Sequence, residues 1–372
     1  MPIVCIPGKN NYKGEKMSNI FVTGYYGTGS SAIIDLLTEF DNIEIALGKR
    51  YEHVLFLCHD GLLDLEQRLF GENSNQMIRD VAINEFIKEM YKQNDHFFGW
   101  YGSYRYIFGQ KFKALVDKFV DNISAIGGQD LFSHTTGIRY SPIKAMLQIG
   151  AAILKGYKIT KLGRVYVYDK KKTRYLIVDH DTFIRHAQQF VSAYFQLCYK
   201  QNHTMIYDHI LLPEQCGAMH KFFPEDKLII VDRDPRDVYF SAYHVWNSAK
   251  FGAQQAPFPL GVEAFCSNWK MMHKRAERAA NSKHVKIIHF EDLVYKTDQT
   301  IEDICNFIGL NIENQRFPKR NFDPSKSIKN TQIFRSKSEF KNECSIIEQQ
   351  LEKYLYEFPL VLENRLEDAW DA

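Results

Sequence analysis

Residues 19–31 read NIFVTGYYGTGSS, and this stretch decides the fold. The run from Asn19 to Thr23 is short and apolar, which predicts a buried strand. A glycine-rich turn follows, and from Ser30 onward the apolar residues recur at helical spacing. A strand, a glycine turn and a helix in this order can form an anion site, because backbone N–H groups converge there with the positive end of the helix dipole. The sequence therefore predicts a cradle for phosphate or sulfate, with hydroxyl groups added by Ser30 and Ser31.

This loop lacks the lysine of a nucleotide triphosphatase P-loop. It fits G-x-x-x-x-G-x-[ST], but Ser30 stands where such a loop has Lys. ATP is disfavoured, because that lysine reaches the β and γ phosphates. Taken alone, the loop is equally compatible with a turn that only joins strand and helix. The residues assigned to the anion site are Gly24, Tyr25, Tyr26, Gly27, Thr28, Gly29, Ser30 and Ser31.

A second motif follows the apolar run KLIIV at 227–231. It reads DRDPRDVYFS and ends at Ser241. Asp234 is a natural N-cap and Pro235 suits the first turn, so a helix is predicted to begin here. Arg233 then lies where ligands of parallel α/β sheets bind, with Ser241 about two turns into the helix. A guanidinium and a hydroxyl so placed could share one phosphate. A capped helix with solvated arginines is the alternative.

Other apolar runs predict further strands at Ile43–Leu47, Val285–Phe290 and, more weakly, Thr204–Tyr207. These runs do not alternate with polar residues, which is typical of a parallel sheet covered on both faces. The predicted fold class is α/β, with three layers around a central parallel sheet of about five strands. This architecture is like that of a P-loop NTPase.

The long interval at about 54–200 carries mostly helical periodicity. Within it, Arg164–Asp169 and Arg174–Asp179 alternate and predict a β-hairpin. We interpret the interval as an insertion in a single domain that covers 17–372. Residues 7–18 are polar and basic, and residues 1–16 are expected to be a disordered tail or an extended start site.

Composition excludes several classes of protein. Of 372 residues, 45% are hydrophobic and 25% charged, which is the globular average. The 47 Lys and Arg nearly balance the 45 Asp and Glu, so no general attraction to nucleic acid is expected and any anion site must be local. The seven cysteines are scattered without a CxxC pair, which indicates a reducing compartment and no structural zinc. Without a signal segment or a membrane-length apolar run, a cytoplasmic location is predicted.

Together the two motifs resemble the sulfotransferase family that uses 3′-phosphoadenosine 5′-phosphosulfate (PAPS). In that family the first loop holds the 5′-phosphosulfate and the second element holds the 3′-phosphate. HFEDL at 289–293 and FIGL at 307–310 look like further family segments. Residues 322–334 are similar, more loosely, to the late segment that closes over the nucleotide, and Lys329 and Asn330 in it are candidates for phosphate or ribose contacts. A basic surface loop explains these two almost as well.

The resemblance implies PAPS as donor, no metal, and a hydroxyl on a carbohydrate or related small acceptor. KRYEHVLF at 49–56 is similar to a segment of the carbohydrate-modifying branch in which a glutamate is the catalytic base. The resemblance therefore implies Glu52 as the catalytic base. His53 is the substitute candidate, because a neutral histidine can also accept a proton near pH 7. An ion-paired turn residue is the alternative for Glu52.

One departure from the family concerns Gly27. The family usually has Lys or Arg at this position, where it stabilises charge on the leaving group. Either another cation substitutes, or activity is weak or absent. The candidate substitutes are Lys49, Arg50, Arg236 and Lys329.

Two other functions stay open at this point. One is a P-loop phosphotransferase in which Asp232 acts like a magnesium-binding acidic residue. The other is a non-catalytic homologue that binds PAPS or adenosine 3′,5′-bisphosphate, as the glycine at position 27 would allow.

Overall fold

The computed structural model describes most of the chain between residues 19 and 360. The described residues are 19–49, 51–97, 101–129, 146, 150, 154, 172–245, 261–278, 282–336 and 340–360. The predicted tail at 1–16 and the first hairpin arm at 164–169 lie outside them.

In the part of the chain that the structure describes, seven strands form two sheets. Their bounds are β1 Ile20–Gly24, β2 Ile43–Ile45, β3 Ser124–Gln129, β4 Lys172–Leu176, β5 Thr204–Asp208, β6 Lys227–Asp232 and β7 Val285–His289. Five of them make a parallel sheet in the order β2-β5-β1-β6-β7. Each strand of this sheet lies within two residues of its predicted position.

Helices cover both faces of the parallel sheet. Their bounds are α1 Ser30–Leu37, α2 Leu62–Phe70, α3 Gln76–Asp95, α4 Tyr104–Phe108, α5 Lys111–Ile123, α6 His180–Cys198, α7 Met219–Phe222, α8 Pro235–Phe240, α9 Val262–Glu277, α10 Phe290–Tyr295, α11 Thr297–Ile308, α12 Pro324–Ser327 and α13 Lys341–Gln350. In the described ranges, no helix is long and apolar enough to cross a membrane.

Successive residues of β1 pack into two separate cores, because side chains of a strand alternate between its faces. Phe21 lies in a core shared with the helices between β2 and β5. Ile20 and Val22 lie in a second core with α1, α10 and α11. Two cores on opposite faces of one sheet confirm the three-layer α/β fold.

The strand register brings three loops to one edge of the sheet. β1 lies between β5 and β6, with Val22 opposite Asp208 and Gly24 opposite Val231. The chain therefore leaves β1, β5 and β6 at neighbouring points. In parallel α/β sheets this carboxyl edge is where ligands bind.

The helical interval contains a strand pair that differs from the predicted hairpin. β4 overlaps only the start of the predicted arm Arg174–Asp179, and it pairs antiparallel with β3. The sequence of β3, SAIGGQ, was not predicted as a strand because its two glycines and single β-branched residue give no alternating pattern. Hydrophobic periodicity was therefore a poor guide to this pair.

Candidate functional site

The loop after β1 turns through left-handed backbone conformations. The φ angles of Tyr26, Gly27 and Gly29 are 50°, 74° and 92°. Among the described residues, the N–H groups of 27–31 donate to no carbonyl or side chain. Runs of backbone N–H groups with alternating handedness, placed at a helix N-terminus, are a common anion cradle.

Thr28 fixes this loop to the neighbouring strand. Its hydroxyl donates to the Val231 carbonyl at 2.6 Å and accepts from the Tyr25 N–H at 3.0 Å. Gly24 leaves room for it, since a Cβ there would lie 2.3 Å from Thr28 Oγ1. The Thr28 side chain is therefore structural, and only its backbone N–H remains for the predicted anion contact.

Tyr25 supports the loop from behind and faces away from the cradle. Its side chain is buried and stacks on His273, with ring centroids 3.9 Å apart. Burial, reinforced by the nearby carboxylate of Asp232, raises the pKa of Tyr25 far above its usual range. The Tyr25 ring is therefore part of the core, and only the backbone of Tyr25 belongs to the predicted anion loop. Tyr26, by contrast, is 42% exposed.

Arg233 reaches the glycine loop, 206 residues away in sequence. Its Nη1 donates to the Gly27 carbonyl at 2.8 Å, and its Nη2 donates to the Asn330 carbonyl. The guanidinium carbon lies 5.4 Å from the centroid of the Phe290 ring. One guanidinium thus joins the first motif, the second motif and the late segment.

Two buried polar atoms at this junction have no partner among the described residues. They are Arg233 Nε and Asn330 Oδ1. Burying unpaired polar atoms is costly, and such atoms commonly pair with a ligand or water. A charged donor fits a phosphate, and an amide oxygen fits a ribose hydroxyl. The residues present therefore fit a phosphorylated nucleoside.

Ser241 lies at the end of α8, where its hydroxyl is already hydrogen-bonded within the protein. Helix α8 ends at Phe240, and Ser241 begins a π-helical turn instead of lying inside the helix. Its buried hydroxyl donates to the Asp237 carbonyl at 2.8 Å. That bond uses its only proton, so Ser241 cannot donate to a phosphate without giving up the Asp237 carbonyl.

The FEDL segment holds the cap of α8. Asp234 is the N-cap as predicted, since its side chain accepts from the Arg236 N–H. Glu291 Oε1 accepts from the Asp234 N–H at 2.9 Å. Burial, together with the charges of Asp234 and Asp237, raises the pKa of Glu291 well above its usual range. Glu291 therefore supports the start of the helix that follows Arg233.

The late segment is anchored to α8 by Asp237. The Asp237 carboxylate accepts from the N–H groups of Gln332 at 2.7 Å and Phe334 at 3.2 Å. The half-buried Lys329 and Asn330 immediately precede this anchor. The looser part of the sequence resemblance thus lies against the second motif.

The four candidate cations differ in their surroundings. Lys49 pairs with Asp35 at 2.6 Å, and Arg236 pairs with Asp234 at 2.7 Å and Glu348 at 2.8 Å. Arg50 lies outside the described residues. Lys329 makes no ion pair within the described ranges.

Of the two predicted bases, only Glu52 lies at the carboxyl edge of the sheet. Glu52 forms a parallel bridge with Asp208 at the end of β5. The pKa of Tyr26 is raised mainly by burial, and also by the negative charges of Glu214 and Glu52. Glu52 therefore lies near the exposed ring of the glycine loop.

His53 is a core residue, and the structure contradicts its assignment as a base. Its Nδ1 lies 2.7 Å from the Tyr194 hydroxyl, and its ring packs against Tyr51 and Tyr207. The side chain is fully buried, and burial lowers the pKa of His53 to about 3. It cannot exchange a proton with an acceptor at the sheet edge.

His209, which directly follows β5, was not among the predicted site residues. Its Nδ1 lies 2.6 Å from Asp208 Oδ1, and its N–H donates to the Val22 carbonyl. Although burial alone would lower it, the pKa of His209 is raised by its hydrogen bond with Asp208 and by the charges of Asp208 and Glu52. An Asp-His pair at the end of a weakly predicted strand was the available signal.

A family model described as "Sulfotransferase family" matches residues 160–314. The match includes Asp208, His209 and Arg233, but not the glycine loop or Glu52.

Two curated relatives match part of the chain. Sulfotransferase 2A1 of Macaca fascicularis is 30% identical over 115 residues, which is 27% of this chain and 38% of the relative. Sulfotransferase 2A1 of Homo sapiens is 29% identical over 108 residues, with the same two shares. The chain thus spans 38% of the length of these relatives. The family match and these relatives confirm the resemblance found in the sequence.

Solved structures also align along most of the chain. A sulfotransferase from Alicyclobacillus acidocaldarius is 14% identical, covers 90% of this chain and 96% of its own, and has a TM-score of 0.35. A retinol dehydratase, solved with androsterone and the inactive cofactor PAP, is 11% identical, covers 93% of this chain and 82% of its own, and also has a TM-score of 0.35.

Proposed function

We propose that this protein transfers the sulfuryl group of PAPS to a hydroxyl of a carbohydrate or related small acceptor, because residues 160–314 match a sulfotransferase family model. The hydrogen bond from Arg233 Nη1 to the Gly27 carbonyl carries the proposal. It brings together, at the carboxyl edge of the sheet, two motifs that were each ambiguous alone. A connecting turn and a solvated arginine would have no reason to meet there.

Residues from three segments would hold the donor. The unclaimed N–H groups of 27–31, with the Ser30 and Ser31 hydroxyls, would bind the 5′ end, and Arg233 would bind the 3′-phosphate. Asn330 Oδ1 would accept from a ribose hydroxyl. PAPS supplies the activated sulfuryl group, and the protein supplies binding and orientation.

The acceptor hydroxyl needs a base, since an alcohol is a poor nucleophile while protonated. His209 fits this role best, because Asp208 fixes its Nδ1 and leaves Nε2 for the acceptor proton. Glu52 is the alternative, because it lies beside the same strand end. The carboxylate of Asp208 also stabilises the imidazolium that forms after proton transfer.

Lys329 is the proposed substitute for the loop cation that Gly27 lacks. It precedes Asn330, whose carbonyl is bonded to Arg233, and it makes no ion pair among the described residues. A cation near the leaving group stabilises the charge that develops there.

Isothermal titration with adenosine 3′,5′-bisphosphate tests donor binding. The unmutated protein is expected to bind, and Arg233→Ala is expected to weaken binding by about 100-fold, as loss of a charge-assisted phosphate contact does. Arg105→Ala is the matched control, since Arg105 is 56% exposed and lies in the helical interval. No binding by the unmutated protein would reject the proposal.

A transfer assay with PAPS and a panel of hydroxyl acceptors tests the activity itself. Sulfated product is expected with at least one sugar or small alcohol. Binding of the bisphosphate without product from any acceptor would favour the non-catalytic homologue.

The phosphotransferase is disfavoured because Asp232 is engaged by His273 and the Arg233 N–H, which leaves it poorly placed for magnesium. Magnesium-dependent ATP turnover would reverse that conclusion.

A further inference from the structure

A buried pair, His273 and Asp232, lies directly behind the proposed donor site. Asp232 is the last residue of β6, and His273 comes from α9. The side chains of both are more than nine-tenths buried. No step of the proposed reaction uses either residue.

Each ring nitrogen of His273 faces an oxygen atom that can accept a hydrogen bond. Nδ1 lies 3.0 Å from the Trp269 carbonyl, which can only accept. Nε2 lies 3.1 Å and 3.0 Å from the two carboxylate oxygens of Asp232. The same carboxylate accepts from the Arg233 N–H at 2.8 Å. Despite burial, the pKa of Asp232 is lowered, chiefly by His273. These contacts fit an imidazolium that faces a carboxylate.

The imidazole ring of His273 contacts the glycine loop directly and is linked to Arg233 through Asp232. It stacks on Tyr25 of the glycine loop, with ring planes 12° apart. Through Asp232 it also orients the backbone N–H of Arg233. Trp269 stacks on the ring at 4.4 Å. The nearby acid Glu277 is itself paired with Lys353 at 2.6 Å, so it does not compete for His273.

A negative charge at Asp232 would oppose the binding of a phosphate. Asp232 precedes the arginine that is proposed to bind it, and a buried carboxylate without a counter-ion is both unstable and repulsive to anions. An imidazolium cancels that charge without occupying the pocket. Arg233 can then act on the ligand as a full positive charge.

We propose that His273 is a positioning residue for anion binding: as an imidazolium it neutralises Asp232 and ties the glycine loop to Arg233. This inference rests on the proposed function, because the anion it serves is the phosphate of the donor. One result distinguishes this role from a packing role. If His273 acts by neutralising Asp232, binding that is lost on substitution of His273 is restored when the Asp232 charge is also removed.

A double-mutant cycle tests the charge. Binding of adenosine 3′,5′-bisphosphate and of inorganic pyrophosphate is measured by calorimetry for the unmutated protein, Asp232→Asn, His273→Gln and the double variant. His273→Gln is expected to weaken binding about tenfold or more, and Asp232→Asn by less than about threefold. The double variant is expected to return to within about threefold of the unmutated protein. A double variant as weak as His273→Gln, or an unaffected His273→Gln, would overturn the inference.

Controls separate this result from loss of fold and from failure of the proposed function. His284→Gln removes another buried histidine, at the amino edge of the sheet, and is expected to leave binding unchanged. If His273→Gln does not fold, the comparison of the double variant with Asp232→Asn decides, and unequal binding contradicts the inference. Pyrophosphate binding without bisphosphate binding rejects only the proposed function, whereas binding of neither probe rejects both.

Nitrogen NMR of the His273 ring gives a readout that needs no ligand. Both ring nitrogens are expected to carry a proton at pH 7 in the unmutated protein. A neutral ring would overturn the inference whatever the binding data show.

Discussion

At the scale of single residues, burial and neighbours decide what each histidine can do. The backbones of His53 and His209 both lie near the end of β5. The His53 side chain is buried among aromatic rings, whereas the His209 side chain is hydrogen-bonded to a carboxylate. The first is held neutral and the second is stabilised as a cation. Residue type and spacing led to His53 as a candidate base and not to His209. Neither property shows which of the two side chains the core will bury.

Substitution of the two remaining candidate bases distinguishes them. His209→Gln is expected to lower the rate of sulfuryl transfer about 100-fold or more, because proton transfer by a positioned base contributes that much. Glu52→Gln is expected to lower it less than about tenfold, through the lost charge near His209. Single-turnover kinetics with saturating PAPS measures both. The reverse order of effects would transfer the role to Glu52.

The pH dependence of the reaction follows from Asp208. A general base works when unprotonated, so kcat/KM is expected to fall as pH drops through the pKa of His209. Because Asp208 raises this pKa, Asp208→Asn is expected to shift the acid limb of the profile to lower pH. An unmoved limb would show that another group titrates.

The buried Glu291 makes stability depend on pH. Its raised pKa means that the folded state holds a proton which the unfolded state releases above the usual pKa of a glutamate. The free energy of unfolding is therefore expected to fall as pH rises from the unfolded pKa toward the folded one. Glu291→Gln keeps an acceptor for the Asp234 N–H and is expected to flatten this slope, as urea titrations at several pH values would measure. An equally steep slope in the variant would assign the dependence to Asp237.

At the scale of elements, the glycine loop is shaped by what packs against it. Gly29 has a φ of 92°, and a Cβ there would lie 2.8 Å from Phe290 Cδ2. Gly48 has a φ of 96°, but a Cβ there would have no neighbour within 4 Å. A side chain at either position would be strained by the positive φ. Only at Gly29 would its Cβ also be too close to Phe290.

This pair gives a matched test of loop packing. Gly48→Ala is expected to lower the free energy of unfolding by about 1–2 kcal/mol, the cost of a left-handed alanine. Gly29→Ala is expected to lower it by about 2–4 kcal/mol, since overpacking adds to that cost. It is also expected to weaken bisphosphate binding, which Gly48→Ala leaves intact. Equal losses in the two variants would show that Phe290 yields easily.

The elements were predicted unevenly, for physical reasons. Three strands of the parallel sheet, β1, β5 and β6, are almost wholly buried, and β2 and β7 are partly buried. Their apolar runs are therefore visible in the sequence, as is the Asp234 cap. β3 is a partly exposed strand with two glycines and left no such signal. Ser241 was placed inside a helix because a cap marks where a helix begins and says nothing about where α8 ends.

At the scale of the whole molecule, ligand binding is expected to stabilise the entire chain. The proposed site joins β1, β6 and the late segment, which cannot all unfold while a nucleotide holds them together. Adenosine 3′,5′-bisphosphate at 100 times its Kd is expected to add about 2.7 kcal/mol to the free energy of unfolding. Calorimetric scans would measure the rise in Tm, with Arg233→Ala as the variant that loses it. A rise of the same size in that variant would remove Arg233 from the site.

The site as a whole was predictable only in part. The glycine loop and the segment around Arg233 could be recognised in the sequence because each is local, and the sheet order made them neighbours. Thr28 and Tyr25 were assigned to the ligand although they face the protein, because the orientation of a loop side chain depends on residues as distant as Val231 and His273. Long-range partners of this kind leave no trace in local spacing.

The pairing between β1 and β6 also constrains how this chain can vary in length. Five residue pairs, from Ile20 with Lys227 to Gly24 with Val231, fix the register. Deleting one residue from β6 would move Arg233 by about 3.3 Å and turn it to the opposite face of the sheet. Insertions and deletions among homologous chains are therefore expected to avoid 20–24 and 227–233 while remaining common in the long interval between β2 and β5.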